Sequence, residues 1–133
     1  LNFENQKTTS ILNLAFMSNT LQGRIRLRAE DLKLLKTITQ VCILFGSYTT
    51  AKQNPRDLDI LFVLDKKNFE KYRQMLSKVQ EIIPIKIQDV IQTTKDLEQN
   101  IKKRDPVIAE VIKNGVVLWG FGILVKVIEN ASE

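Results

Sequence analysis

The chain has 133 residues, 44% of them hydrophobic and 26% charged, which suits one domain around one core and is too apolar for a disordered or fibrous protein. It contains no histidine, which excludes Ser-His and Cys-His nucleophile pairs, His-built zinc sites and imidazole acid-base catalysis; chemistry must run on carboxylates, hydroxyls, lysines or arginines. The net charge of +5 suits a polyanionic partner such as a nucleotide or RNA without selecting one.

No run of about eighteen apolar residues and no basic, apolar and small-residue leader is found, so a soluble cytoplasmic protein without a membrane segment is expected. The sequence begins at Leu1 rather than methionine, which leaves room for an upstream domain. In chain order, residues 9–17 and 31–39 carry apolar positions at helical spacing, with Asp31 as an N-cap or first-turn acid. Between them, Gly23 to Arg28 alternates arginines with Ile25 and Leu27, the pattern of a short strand or extended arm whose arginines face solvent. Val41 to Phe45 is too short for a helix and too apolar for a loop, and is read as the first core strand. Its Cys42 is a buried small hydrophobe rather than a reactive thiol.

After Gly46-Ser47, residues 48–53 have room only for a short helix, because the residue before Pro55 avoids helical backbone. A second strand is expected at about 57–64, apolar on both faces and therefore covered on both. Lys66 to Ile82 places Phe69, Tyr72, Leu76 and Val79 on one helical stripe, and Pro84 stops it. In the third strand, Ile85, Ile87, Asp89 and Ile91 alternate with Lys86, Gln88, Val90 and Gln92, which puts Asp89 on the apolar face. Helices at about 94–103 and from Pro106 to Lys113 follow, then an Asn114-Gly115 turn, the apolar run VVLW with Trp119 in the core, and a final helix after Gly122. Lys102-Lys103-Arg104 reads as a solvated helix end.

The chemistry concentrates in residues 43–65, ILFGSYTTAKQNPRDLDILFVLD. Asp57 and Asp59 point the same way on a strand, roughly 6–7 Å apart. Carboxylates that close at the head of a buried strand repel unless a cation lies between them. Oxygen ligands of this kind suit Mg²⁺ or Mn²⁺. A strand that ends in Gly-Ser and enters a helical turn exposes backbone N–H groups to a phosphate, with Ser47 adding a hydroxyl. Other phosphate signatures are missing: there is no G-x-x-x-x-G-K-[ST] and no G-x-G-x-x-G.

Gly46-Ser47, a nine-residue spacer from Tyr48 to Arg56, Asp57-Leu58-Asp59 and a further acid at Asp89 together resemble the nucleotidyltransferase superfamily related to DNA polymerase beta, and within it the minimal nucleotidyltransferases. The resemblance covers about residues 40–120 and extends to the closing stretch DPVIAEVIKNGVVLWG. It implies an α/β (α+β) nucleotidyltransferase fold, a mixed β-sheet with helices mainly on one side, in a single domain over residues 1–133. Residues 1–39 are a candidate stub of an upstream domain. It also implies two divalent ions held by Asp57, Asp59 and Asp89, with Gly46 and Ser47 binding the phosphates of a nucleoside triphosphate. The implied reaction moves a nucleoside monophosphate, foremost AMP, to a hydroxyl and releases pyrophosphate. Small members resemble antitoxins that modify or cover a HEPN-type ribonuclease, so the alternative is a catalytically weak module that binds such a partner. Many relatives follow Gly-Ser-Tyr with Ala-Arg-Gly; here Thr49-Thr50-Ala51 removes one basic phosphate contact. RNA binding through Arg24, Arg26, Arg28 and Lys102 to Arg104 is the weakest reading, because no aromatic platform accompanies them.

Overall fold

The computed structural model describes residues 19–50 and 55–132. Its elements are helix α1 (Asn19–Leu32), strand β1 (Val41–Phe45), β2 (Asp57–Val63), helix α2 (Phe69–Ile82), β3 (Lys86–Gln92), α3 (Thr94–Lys102), α4 (Pro106–Asn114), β4 (Val116–Trp119) and α5 (Phe121–Ala131). Single 3₁₀ turns cover Lys33–Thr37, Gly46–Thr49 and Lys66–Asn68. Among these residues, no helix is long and apolar enough to cross a membrane.

The sheet is mixed, in the order β3-β2-β1-β4. β1 runs antiparallel to β2 and β4, while β2 and β3 are parallel, joined by the α2 crossover. The interior strands β1 and β2 explain the near-continuous apolar runs: all five β1 residues are buried, because both faces are covered. One core joins Cys42, Leu44, Leu58, Ile60 and Phe62 to Ile25 and Leu32 of α1 and Tyr72 and Val79 of α2. The other joins Val41, Ile43, Leu61 and Val63 to Leu97 of α3, Ile108 and Val111 of α4, and Leu124 and Val127 of α5. The mixed sheet agrees with expectation. The distribution of helices does not, because two described helices cover one face and three the other.

Local chemistry fixes several element starts. Thr93 and Asp96 cap α3 reciprocally, at 3.0 and 3.2 Å. Asp105 Oδ1 accepts from the Val107 and Ile108 amides at 2.9 and 3.1 Å, with Pro106 in the first turn of α4. Gly120, at φ +84°, opens α5 two residues earlier than expected; a Cβ there would strike Gln40 O and Val41 Cα.

Three other expectations shift. Residues 9–17 lie outside the described residues, and 31–39 contain the end of α1 and a 3₁₀ turn rather than a helix of their own. Gly23 to Arg28 is not an extended arm but the middle of α1. Helical spacing places Ile25, Arg28 and Leu32 on its buried side. Of the short helix expected at 48–53, the structure describes a 3₁₀ turn ending at Thr49, while residues 51–54 lie outside the described residues.

Candidate functional site

Asp57 and Asp59 open β2 and share its face with Leu61 and Val63, while Leu58, Ile60 and Phe62 fill the opposite core. Both acids are half-buried. Across the antiparallel pair, Asp59 is in register with Phe45, the residue before the Gly-Ser turn. This pairing brings the two halves of the motif together.

Gly46 has φ +72°, and the place a Cβ would take is filled by the Asp59 carboxyl, with Cγ 3.2 Å away and Oδ2 nearer still. Glycine is thus required twice, by a left-handed backbone and by a carboxylate resting on the turn. Burial pushes the Asp59 pKa above its ordinary value, and the Asp57 charge pushes it further the same way. Each effect penalises the ionised form, and a bound cation offsets both.

The turn itself is braced from α1. Arg24 donates through Nη2 to Tyr48 O and, at 2.8 Å, to Thr50 O, and its guanidinium lies 4.6 Å from the Tyr48 ring centroid. Tyr48 returns a bond from its hydroxyl to Arg24 O at 3.3 Å. Thr49 and Thr50 hydroxyls donate to Gly46 O and Ser47 O, at 2.9 and 2.7 Å. Burial raises the Tyr48 pKa, opposed by the nearby Arg28 and Arg24 charges. Arg28 is itself buried, 3.2 Å from Asp31 Oδ2. The carbonyls of Gly46, Ser47, Tyr48 and Thr50 are therefore engaged by donors, while the first amides of a helical turn lack intrahelical acceptors and suit an anion. Ser47 stands half-buried at this edge. From sequence Arg24 reads only as a solvent-facing arginine or an RNA contact, because its stretch imitates extended backbone; spacing of 25, 28, 32 and 35 on one helical face was the available signal.

Asp89 does not join Asp57 and Asp59. In the parallel pair, β3 register sets Lys86 beside Asp57, Gln88 beside Asp59 and Asp89 beside Ile60. Paired residues of neighbouring strands share a face, so Asp89 lies on the far side of the sheet from the other two acids. There it accepts from the Tyr72 hydroxyl at 2.7 Å and borders an open groove of about 500 Å³ with Arg73, Ser77, Gln80 and Ile87. The buried Tyr72 pKa is raised by burial first and by Asp89 second. Among the described residues, no group of three or more His, Cys, Asp or Glu forms a metal cluster. Asp57 and Asp59 fit a divalent cation by donor type and by their mutual repulsion; the three-acid set does not fit.

The family model described as Polymerase beta, Nucleotidyltransferase matches residues 32–120. No curated protein matches the chain. Among solved structures, it is similar to a chain in the crystal structure of a mutant toxin-antitoxin complex, MntA-HpeT, with 17% identity, a TM-score of 0.42, and coverage of 79% of this chain and 86% of that one.

Proposed function

The chain belongs to the polymerase beta nucleotidyltransferase family, whose model spans more than half of it, and on that premise we propose that it binds a nucleoside triphosphate with Mg²⁺ or Mn²⁺ and transfers the nucleoside monophosphate to a hydroxyl. ATP, and hence AMP transfer, is the first candidate. The observation that carries the reading is the Asp59 carboxyl resting on Gly46, which joins a cation ligand to a phosphate-binding turn. Asp57 and Asp59 would hold the cation; Ser47 and the amides of the turn would hold the β- and γ-phosphates. Such an ion neutralises phosphate charge and polarises the phosphoryl oxygens. The acceptor oxygen forms a bond to the α-phosphorus, the bond from that phosphorus to the bridging oxygen breaks, pyrophosphate leaves, and the hydroxyl proton passes to water.

A protein acceptor, in the manner of an antitoxin acting on a HEPN-type ribonuclease, is the partner this reading favours. A second reading, a catalytically weak module that binds a partner, draws support from Asp89 lying on the opposite face.

Calorimetric titration with ATP, CTP, GTP and UTP in Mg²⁺, beside an Asp57→Asn/Asp59→Asn double variant, tests the proposal. Binding that requires Mg²⁺ and disappears in the variant is expected, and labelled nucleotide then reports transfer. Absence of binding to every nucleotide would sink the transferase reading; binding without transfer to any offered acceptor would move the conclusion to the partner-binding module.

A further inference from the structure

We infer that this site takes a single divalent cation rather than a pair, and that Gln88 is the residue that sets the number. The inference rests on the reading of Asp57 and Asp59 as cation ligands, and it follows from what β3 lays beside them. Neighbouring strands are about 4.8 Å apart, so a residue in register on the same face stands within side-chain reach. The residue beside Asp59 is Gln88, and the residue beside Asp57 is Lys86. One is neutral and the other carries a positive charge. Both are exposed, so neither is held away by the core.

Charge decides the count. Two dications about 3.5–4 Å apart, as in paired-metal sites, repel strongly and are held together by anionic ligands that bridge or flank them. Asp57 and Asp59 supply two negative charges, which balance one dication. With the triphosphate's own charge drawn to the ion that binds it, a second ion on the acceptor side would need another anion from the protein. The only carboxylate on β3, Asp89, is committed to Tyr72 across the sheet. An amide oxygen from Gln88 can complete a coordination shell, yet it adds no charge, and the Lys86 ammonium opposes a further cation. Lys86 instead suits the polyphosphate. The acceptor hydroxyl therefore meets no metal ion of its own at this site.

Gln88→Glu tests the assignment, since it is isosteric, adds one charge and changes an exposed side chain. Mn²⁺ alone is titrated into wild type and variant, bound ions are counted from the loss of the free-ion paramagnetic resonance signal, and circular dichroism confirms equal folding. One Mn²⁺ per wild-type chain is expected, rising to two in Gln88→Glu, with the exchange-coupled spectrum of ions about 3.5–4 Å apart. Gln88→Asp serves as a second variant and should show the same rise. Two ions bound by the wild type, or a count that stays at one in both folded variants, overturns the inference while leaving the cation site standing. A wild-type count of zero overturns the reading of Asp57 and Asp59 on which it rests.

Discussion

Replacing Gly46 by alanine probes the contact that joins the two halves of the site. The cost has two parts. An L-residue held at φ +72° loses about 1 kcal/mol relative to glycine. The new methyl also meets the Asp59 carboxyl, with Cγ at 3.2 Å and Oδ2 closer. Asp59 is half-buried and has some freedom to swing outward, so this overpacking belongs near the low end of its range, about 1 kcal/mol. Gly46→Ala should therefore destabilise the chain by about 2 kcal/mol in total. In an Asp59→Ala background the carboxyl is gone, and only Asp59 Cβ remains, at an ordinary 3.4 Å. There the same substitution should cost about 1 kcal/mol, giving a coupling of about 1 kcal/mol between the two sites. Urea unfolding of the four proteins measures it, provided the slopes agree. Equal costs in both backgrounds, within about 0.3–0.5 kcal/mol, would refute the contact. A cost near zero in both would refute the left-handed turn as well.

Asp59→Asn should stabilise the chain at neutral pH when divalent ions are absent. The folded-state pKa of Asp59 lies above its ordinary value of 3.8, so the wild type loses stability as pH rises from that value through the raised one, and the loss persists at neutral pH. Urea midpoints across this range should flatten in the variant, and Mg²⁺ should raise only the wild-type midpoint; a variant less stable than wild type with an unchanged slope would count against the assignment. Tyr72→Phe removes the hydroxyl bond to Asp89 and should cost about 1 kcal/mol in urea. It should leave Mn²⁺ binding and nucleotide affinity as they were, and a loss of either would tie Asp89 to the site after all. Arg24→Ala withdraws the donor to Tyr48 O and Thr50 O, and triphosphate affinity measured by calorimetry should fall about tenfold, roughly 1.4 kcal/mol, with Mn²⁺ binding retained. Equal weakening of both would show that the brace supports the fold at large and not the phosphate turn.

The strands and the two leading acids were legible because their signals are local. An unbroken VCILF says that both faces are covered, and a period of two says that Asp57 and Asp59 point together. The requirement for glycine at position 46 was legible as a turn, though its contact with Asp59 needs the antiparallel register of Phe45. For α1, Arg24, Arg26 and Arg28 imitated strand alternation, while the buried stripe of Ile25, Arg28, Leu32 and Leu35 hid behind an arginine at a core position. A buried cation there is legible only once Asp31 and Tyr48 are known to stand beside it.

Asp89 shows where local pattern runs out. Its alternation with Ile87 and Ile91 grouped it correctly with the apolar side chains of β3, and those isoleucines do pack with Tyr72 and Val79. In a sheet covered on one side, that would have fixed the face. This sheet carries helices on both sides, so "apolar face" names two faces, and the strand alone does not distinguish them. The choice is made by the parallel register with β2, where Ile87 meets Leu58 and Gln88 meets Asp59. A slip of one residue would exchange Gln88 for Asp89 beside Asp59 and would also turn Ile87 out of its core, which is the energetic reason the register holds. The burial of an isoleucine thus determines whether a carboxylate or an amide reaches the site, and with it the charge that site offers to a cation.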